Sequence, residues 1–234
     1  MSEWKPKRFW KQAEAIEVEG GFAVALDGRK VKTPAKADLV VPTKGMAEAI
    51  AAEWDAQEEV VDPHTMPFTR SANAAIDKVA HQKAEVADML AAYGDSDLLC
   101  YRADTPEELV ARQAAAWDPF LARAEADLSA RLEPRTGVIH APQDQGSIDR
   151  LTQQVHALSP FQLAAFHDLV SMSGSLILGF ACAQGWESPD RIWDVSRLDE
   201  RWQEEQWGPD EEAQQVEEIK RTAFLHAKVF FDLS

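Results

Sequence analysis

Cysteine is scarce in this chain, with two residues, Cys100 and Cys182, among 234. Two distant thiols do not make a disulfide framework or a cysteine-based metal site. Each lies in an apolar run, LLCYR and LGFACAQ, so we expect both to be buried as small hydrophobic side chains. No run of 18 apolar residues is present, and MSEWKPKRFWK lacks the apolar core of a secretory signal. We therefore expect a cytoplasmic protein without a membrane partner.

Motifs that carry chemistry are also missing. The sequence has no GxxxxGK[ST] loop and no GxGxxG after a predicted strand, so it shows no cradle for nucleotide phosphates. The six histidines are scattered, without HExxH, and predict no metal site and no cofactor. Asp95 and Asp97 could form an acid/base pair. They are better explained as turn residues before DLLCYR.

Positive charge is the third deficit, because 24 Lys and Arg face 40 Asp and Glu, for a net charge of −16. This charge repels nucleic acid and anionic membrane surfaces, so we expect neither as a partner. The deficit is uneven: residues 1–44 hold nine basic and six acidic residues, and the other 190 hold 15 and 34. A slightly basic N-terminal part therefore precedes a strongly acidic body.

The N-terminal part carries strand patterns. In GGFAVALDGRKVKTPAK, alternating residues run up to the Asp-Gly pair at 27–28 and away from it, which is typical of a tight hairpin. A two-residue turn places Leu26 opposite Arg29 and Val24 opposite Val31. WKQAEAIEVEG and ADLVVP predict flanking strands, in a small sheet over residues 8–42. Four apolar side chains should share its buried face: Phe22, Val24, Leu26 and Val31.

Helical patterns follow this sheet. Thr43 is positioned to cap a helix whose apolar stripe is Met46, Ile50 and Trp54. A second helix is predicted from about residue 69 towards residue 90, and DLLCYR is predicted as a short strand.

From Thr105 the chain is predicted to be helical, with N-terminal signatures at TPEEL, SPFQL, SPDRIW and PDEEA and a Thr cap in the first of them. RTGVIHAPQDQG is the one predicted interruption. We therefore predict an α+β fold with two domains. A small N-terminal α/β domain with an antiparallel sheet spans residues 1–68, and a larger all-α helical domain spans residues 69–234.

Tryptophan is abundant, with eight residues against two tyrosines. Two of them, Trp202 and Trp207, lie in DERWQEEQWGPDEEAQQVEE, Asp199 to Glu218, which has one Arg and no Lys. We call this stretch the acidic segment. A Trp among carboxylates is either a lid over the core or a recognition residue. The segment could be a solvated helix face, a protein-binding surface or an active site.

Eight short motifs, in order along nearly the whole chain, resemble one family. They are KRFWK, GFAVALDGRKVKTPAK, AIAAEWDAQEE, DPHTMPFTRSANAAID, DSDLLCYRA, RQAAAWDPFL, GSLILGFA and LDERWQEEQWGPDEEA. The family comprises the assembly chaperones that attend the α subunit of the F-type ATP synthase catalytic sector. The resemblance implies a two-domain fold, no catalysis, no cofactor, and binding of the free α subunit before it pairs with the β subunit. Because we see no targeting segment, we expect the bacterial branch of this family, whose eukaryotic members are mitochondrial.

The resemblance also implies that the acidic segment contacts the client. The implied client-binding residues are Asp199, Glu200, Trp202, Gln203, Trp207, Asp210, Glu211 and Glu212, joined by Glu53 and Trp54 from AIAAEWDAQ. We expect Glu53, Trp54 and Gln57 to pack against or near the acidic segment. Two other functions stay open. One is an enzyme that uses Asp95, Asp97 or Glu200 in a cleft between the predicted domains. The other is a permanent structural subunit, which should carry an extended apolar patch.

Overall fold

The computed structural model describes residues 7–137 and 139–234. Contacts cluster into two compact units. Unit 1 holds the described residues of Met1–Lys83 with Ser159–Ala165 and Val229–Ser234, and unit 2 holds Ala84–Leu158 and Phe166–Lys228. A small antiparallel sheet near the N-terminus and a mostly helical remainder confirm the predicted fold class. The domain division at residue 68 stays a prediction.

The sheet of unit 1 is built around its second strand. Its strands are β1 (Ala13–Val18), β2 (Gly21–Leu26), β3 (Arg29–Lys30) and β4 (Val40–Val41), and β2 pairs antiparallel with each of the others. Leu26 pairs with Arg29, and the Val31 amide donates to the Val24 carbonyl at 2.8 Å. Asp27 and Gly28 have φ of 47° and 79°, as a two-residue hairpin turn requires. The predicted hairpin is confirmed.

The core of unit 1 forms between this sheet and helix α1 (Lys44–Asp55). The Thr43 hydroxyl accepts from the Met46 amide at 3.2 Å, which confirms the predicted cap. Met46 and Ile50 are wholly buried, and Trp54 packs half-buried against the same core. The predicted apolar face of the sheet is buried at Val24, Leu26 and Val31 and partly buried at Phe22.

The single helix predicted from about residue 69 to residue 90 is wrong. The chain forms α2 (Pro67–Ala74), a π-helical turn (Ala75–Val79) and, after a turn, α3 (Lys83–Ala91). The Ala80 amide donates to the Ala75 carbonyl, and the His81 amide then donates to the Lys78 carbonyl. Widening and then tightening of the backbone ends the helix without any Pro or Gly, so hydrophobic periodicity could not reveal the break.

DLLCYR is mostly not a strand. Leu98–Cys100 forms a 3-10 turn, because the Asp97 carboxylate accepts from the Leu99 amide at 3.0 Å and holds the chain in a tight bend. Strand β5 covers Tyr101–Arg102 and pairs in parallel with β6 (Arg135–Thr136). The predicted interruption RTGVIHAPQDQG is non-helical in the described residues from 135 to 144.

Seven further helices follow in the described part of the chain: α4 (Glu107–Leu128), α5 (Gln145–Ala157), α6 (Pro160–Ser173), α7 (Leu176–Ala183), α8 (Pro189–Ser196), α9 (Leu198–Trp207) and α10 (Glu211–Asp232). Ser159 and Gln162 cap α6 reciprocally, and Ser188 accepts from the Arg191 amide at the start of α8. The Thr105 cap is wrong. Pro106 occupies the cap position of α4, so Thr105 lies one residue too early to reach the first turn.

Large aromatic side chains fill the core of unit 2. Trp117, Trp193 and Phe224 are wholly buried. Cys100 and Cys182 are buried and form no disulfide, as predicted. Among residues 7–137 and 139–234, no helix is both long enough and apolar enough to cross a membrane.

Candidate functional site

Helix α9 turns one of its two tryptophans inward. Trp202 is 8% exposed, and the Arg112 guanidinium of α4 lies 4.7 Å from its ring centroid. The same guanidinium donates to both Glu205 carboxylate oxygens, at 2.9 and 2.7 Å. Cation–π contact and the ion pair together hold α9 on α4. Trp202 therefore has a structural position and offers little surface to a partner.

Asp199 has a similar anchoring position. Its carboxylate accepts from the Gln113 side-chain amide at 2.8 Å. Gln113 is 2% exposed, and its own oxygen accepts from the Ala103 amide at 2.9 Å. Because the buried Gln113 amide forms hydrogen bonds through both its nitrogen and its oxygen, it holds Asp199 and the Ala103 backbone in place. Asp199 is thus turned towards α4, unlike most carboxylates of the acidic segment.

The turn from α9 to α10 is fixed by Gly208 and Asp210. Gly208 adopts φ of 89°, which favours glycine, and its amide donates to the Glu204 carbonyl at 2.8 Å. The Asp210 carboxylate accepts from the amides of Glu212 and Ala213 at 2.9 and 3.2 Å. Asp210 therefore caps α10, and the chain reverses into the long helix at a defined point.

A groove of about 430 Å³ lies along this turn, and we call it the acidic groove. Its lining includes the exposed apolar side chains of Ala213 and Val216, and the wholly buried Trp193 forms part of its wall. Five carboxylates and two cations complete the lining: Glu200, Glu204, Asp210, Glu212, Glu217, Arg197 and Lys220. The lining carries three more negative than positive charges. It can attract a cationic group while offering apolar contact beside it.

Two of the groove's carboxylates have side-chain partners in the wall. Arg197 forms an ion pair with Glu200 at 2.9 Å and places its guanidinium 5.1 Å from the Trp193 ring centroid. The Trp193 indole N–H donates to Glu217 at 3.3 Å. Glu204 and Glu212 form no ion pair with any residue in the described part of the chain. Their charges remain available to a partner.

Exposed apolar side chains lie in the same region. Trp207, at the end of α9, is 81% exposed, and in the first half of α10 Ile219 is 70% and Val216 46% exposed. Most residues from Glu211 to Thr222 are exposed. Large apolar side chains exposed in a strongly charged region are typical of an interaction surface.

The predicted client-binding residues of the acidic segment fall into three groups. Glu200, Asp210 and Glu212 line the acidic groove. Gln203, Trp207 and Glu211 are exposed outside its lining, and Asp199 and Trp202 face α4. Glu53 and Trp54 belong to unit 1, where their packing contacts are structural, and their client-binding role stays a prediction.

Glu53 connects α1 to the start of α2. Its carboxylate accepts from the Phe68 amide at 2.6 Å and from the amide and hydroxyl of Thr69 at 2.8 and 2.7 Å. Partial burial raises the pKa of Glu53, against the lowering effect of those hydrogen bonds. Trp54 lies edge-on to Trp10 with ring centroids 5.2 Å apart, and Gln57 is buried and donates to the Glu53 carbonyl.

Seven groove residues were not singled out individually from the sequence, although Glu204, Ala213, Val216 and Glu217 lie within the acidic segment. The seven are Trp193, Arg197, Glu204, Ala213, Val216, Glu217 and Lys220. A signal for four of them was present, because residues 213, 216, 217 and 220 recur at helical spacing after the Asp210 cap. Trp193 and Arg197 come from the preceding helix and its end. Nothing local in their sequence indicates that they face α10.

The carboxylates considered for acid/base chemistry have structural partners. Asp97 is wholly buried and accepts from the Leu99 amide, the Ser175 hydroxyl and the Ile177 amide at 3.0, 2.7 and 3.0 Å. Burial raises the pKa of Asp97 to about 6. Asp95 accepts from the Gln143 amide at 2.7 Å. No group of three or more His, Cys, Asp or Glu placed to hold a metal occurs in residues 7–137 and 139–234.

Comparison with known proteins gives the class of this protein. A family model described as ATP12 chaperone protein matches residues 7–125. The protein atp12, mitochondrial, of Schizosaccharomyces pombe is 29% identical over 223 residues, covering 90% of this chain and 77% of that protein. The class is therefore that of an assembly chaperone.

Solved structures agree along almost the full chain. Atp12 from Paracoccus denitrificans is 48% identical, with 99% of both chains covered and a TM-score of 0.96. A point mutant of that protein is 47% identical, with the same coverage and TM-score. Protein Atu1473 of Agrobacterium tumefaciens is 42% identical, covering 97% of this chain and 85% of that chain, with a TM-score of 0.91. The chain belongs to the ATP12 chaperone family and is a chaperone of ATP synthase assembly.

Proposed function

We propose that this chaperone binds the free α subunit of the F-type ATP synthase and shields its β-facing surface until the hexamer forms. The acidic groove, with Trp207 and Ile219 beside it, is the proposed contact surface. An unassembled α subunit exposes surface that is meant for the β subunit, and such surface self-associates. Covering it reversibly requires a surface that is mostly polar and has a few apolar anchors.

The concentration of exposed apolar side chains in one charged region carries this proposal. In the described part of the chain, eight large apolar side chains are exposed: Phe9, Val60, Met89, Ile139, Trp207, Val216, Ile219 and Val229. Three of the eight lie between the end of α9 and the middle of α10. The other five lie outside this part of the sequence.

The proposal also states that the protein is not an enzyme and needs no cofactor or nucleotide. Asp97, whose pKa is raised to about 6, is buried, and its two carboxylate oxygens accept from three donors. It therefore has no free oxygen to offer a substrate. Titration calorimetry with ATP and Mg²⁺ should give no binding heat. A micromolar binding constant would overturn this part of the proposal. A cytoplasmic location, without nucleic acid or membrane partners, belongs to the same proposal.

Size-exclusion chromatography tests the central claim. The purified chain is mixed either with isolated α subunit or with the assembled hexamer of α and β subunits. Co-elution with isolated α subunit alone is the expected result, because the proposed surface on α is covered in the hexamer. Co-elution with the hexamer and not with isolated α subunit would refute the proposal. Isolated β subunit, matched in concentration, is the specificity control.

A further inference from the structure

We infer that the acidic groove and the first half of α10 receive a basic amphipathic helix of the client. Its cationic side chains would meet the carboxylates of the rim, and its apolar side chains would contact Val216 and Ile219. This inference rests on the proposed function, and it specifies the chemistry of the segment that is bound. It makes the site a helix-in-groove contact between two amphipathic elements.

The first observation is the unpartnered face of α10. Ala213, Val216 and Lys220 line the groove from one side of this helix. At 100° per residue, Ile219 lies about 60° around the helix from Val216, so the two form one apolar stripe. Val216 is 46% and Ile219 70% exposed, so the stripe is only partly covered by the chain itself.

The second observation is the charge around that stripe. Glu204 and Glu212 flank it without an ion pair in the part of the chain that the structure describes. Asp210 adds a third carboxylate, at the helix cap. Arg or Lys at helical spacing on a partner would meet these charges, and complementary potentials speed encounter and select the partner. A second copy of this chain would present the same carboxylates and is disfavoured by like-charge repulsion.

The length of the groove wall sets the length of the bound segment. The groove-lining residues of α10 run from Glu212 to Lys220. Eight steps of about 1.5 Å give a wall of about 12 Å, which matches two to three turns of a helix. A segment of this length presents about two apolar and two or three cationic side chains to one face.

Fluorescence anisotropy with designed peptides tests the chemistry directly. The probe is a labelled 14-residue helical peptide of Leu and Lys in an amphipathic pattern. A Leu and Glu peptide with the same pattern tests the charge, and a Lys and Ser peptide with equal charge tests the apolar face. The Leu and Lys peptide should bind at least tenfold more tightly than either control, and its affinity should fall as salt rises.

Two pairs of variants separate the groove from general attraction to an acidic protein. Glu212→Lys reverses a charge in the groove, whereas Glu218→Lys makes the same change on the far side of α10. Val216→Ser removes apolar surface in the groove, and Val229→Ser does so at similar exposure, 46% against 49%, later in the same helix. Each groove variant should weaken binding of the Leu and Lys peptide at least fivefold more than its control.

The outcomes distinguish this inference from the proposed function. Equal effects of groove and control variants, or equal affinity for the Leu and Lys and the Leu and Glu peptides, would overturn the inference. Concentration-dependent dimerisation that Val216→Ser abolishes would assign the stripe to a second copy instead and would also overturn it. Failure of the wild-type chain to retain α subunit on size exclusion would refute the proposed function, and the peptide data would still decide the inference.

Discussion

Reversing three carboxylates of the acidic segment should separate client binding from folding. The variant is Glu200→Lys, Glu211→Lys and Glu212→Lys. All three side chains are exposed, and two of them, Glu200 and Glu212, line the acidic groove. If the segment is a recognition surface, these charges contribute mainly to the interface and only slightly to the stability of the monomer.

The cost to stability can be worked out from their positions. Glu200 pairs with Arg197 at 2.9 Å with its side chain 54% exposed, and an exposed pair contributes at most about 1 kcal/mol. Glu211 and Glu212 lie in the first turn of α10, where a negative charge is favoured by about 0.3–1 kcal/mol each. Reversal should therefore lower the unfolding free energy by about 1–3 kcal/mol. For a chain of this size, each kcal/mol lowers Tm by about 2–4 °C.

The expected effect on client binding is larger. Opposed like charges across an interface cost several kcal/mol, and each 1.4 kcal/mol is a factor of ten in affinity. Three reversals should therefore weaken binding by at least about 100-fold. The assay is suppression of α-subunit aggregation, measured by light scattering, with circular dichroism and urea unfolding to establish the fold.

The matched control is Glu107→Lys, Glu108→Lys and Glu125→Lys. It makes the same change in net charge, and Glu107 and Glu108 also lie in the first turn of a helix, α4. This control should lose similar stability and keep its activity. A folded groove variant that still suppresses aggregation as well as the control would refute the reasoning, and the segment would then be a solvated helix face.

Three further predictions concern stability. Trp54→Arg places a cation against Trp10 and the core of unit 1, so the unfolding free energy should fall by several kcal/mol, and an unchanged Tm would contradict this. Gly179→Ala puts a Cβ 2.5 Å from the Val170 Cγ2, which should cost about 1–3 kcal/mol, and Val170→Ala in the same chain should restore part of the loss. Burial raises the Asp97 pKa to about 6, above the unfolded value of about 3.9. The stabilisation of the folded chain by the protonated Asp97 carboxyl is therefore complete below pH 4 and is lost as pH rises through 6. The unfolding free energy of wild type, measured relative to that of Asp97→Asn, should therefore fall by about 2–3 kcal/mol between pH 4 and pH 8. A difference in urea unfolding that does not change with pH would contradict this.

The elements that the sequence predicts well are those whose causes are local. The hairpin at residues 21–31 forms because Asp27 and Gly28 accept positive φ between two alternating runs. The helix from Lys44 is capped by the residue directly before it. A β turn or a helix cap is decided within about four residues, so its signal lies in one window of the sequence.

The elements that the sequence predicts poorly depend on distant partners. In DLLCYR, the Asp97 carboxylate that bends the chain at Leu99 also accepts from the Ser175 hydroxyl and the Ile177 amide, about 80 residues away. The same carboxylate therefore holds both the 3-10 turn at Leu98–Cys100 and the start of α7. The apolar pattern of DLLCYR does not indicate the second of these contacts. Likewise, hydrophobic periodicity cannot reveal the π-helical turn before α3, because it assumes a constant number of residues per turn.

The two tryptophans of WQEEQW show why the acidic segment could not be resolved from its composition. They are five residues apart on one helix, so about 140° of rotation separates them and they cannot share a face. Trp202 faces α4 because Arg112 stacks on its ring and pairs with Glu205, whereas Trp207 is 81% exposed at the helix end. The sequence presents both as aromatic residues among carboxylates. The position of a cation 90 residues earlier decides which one packs and which one is free to meet a partner.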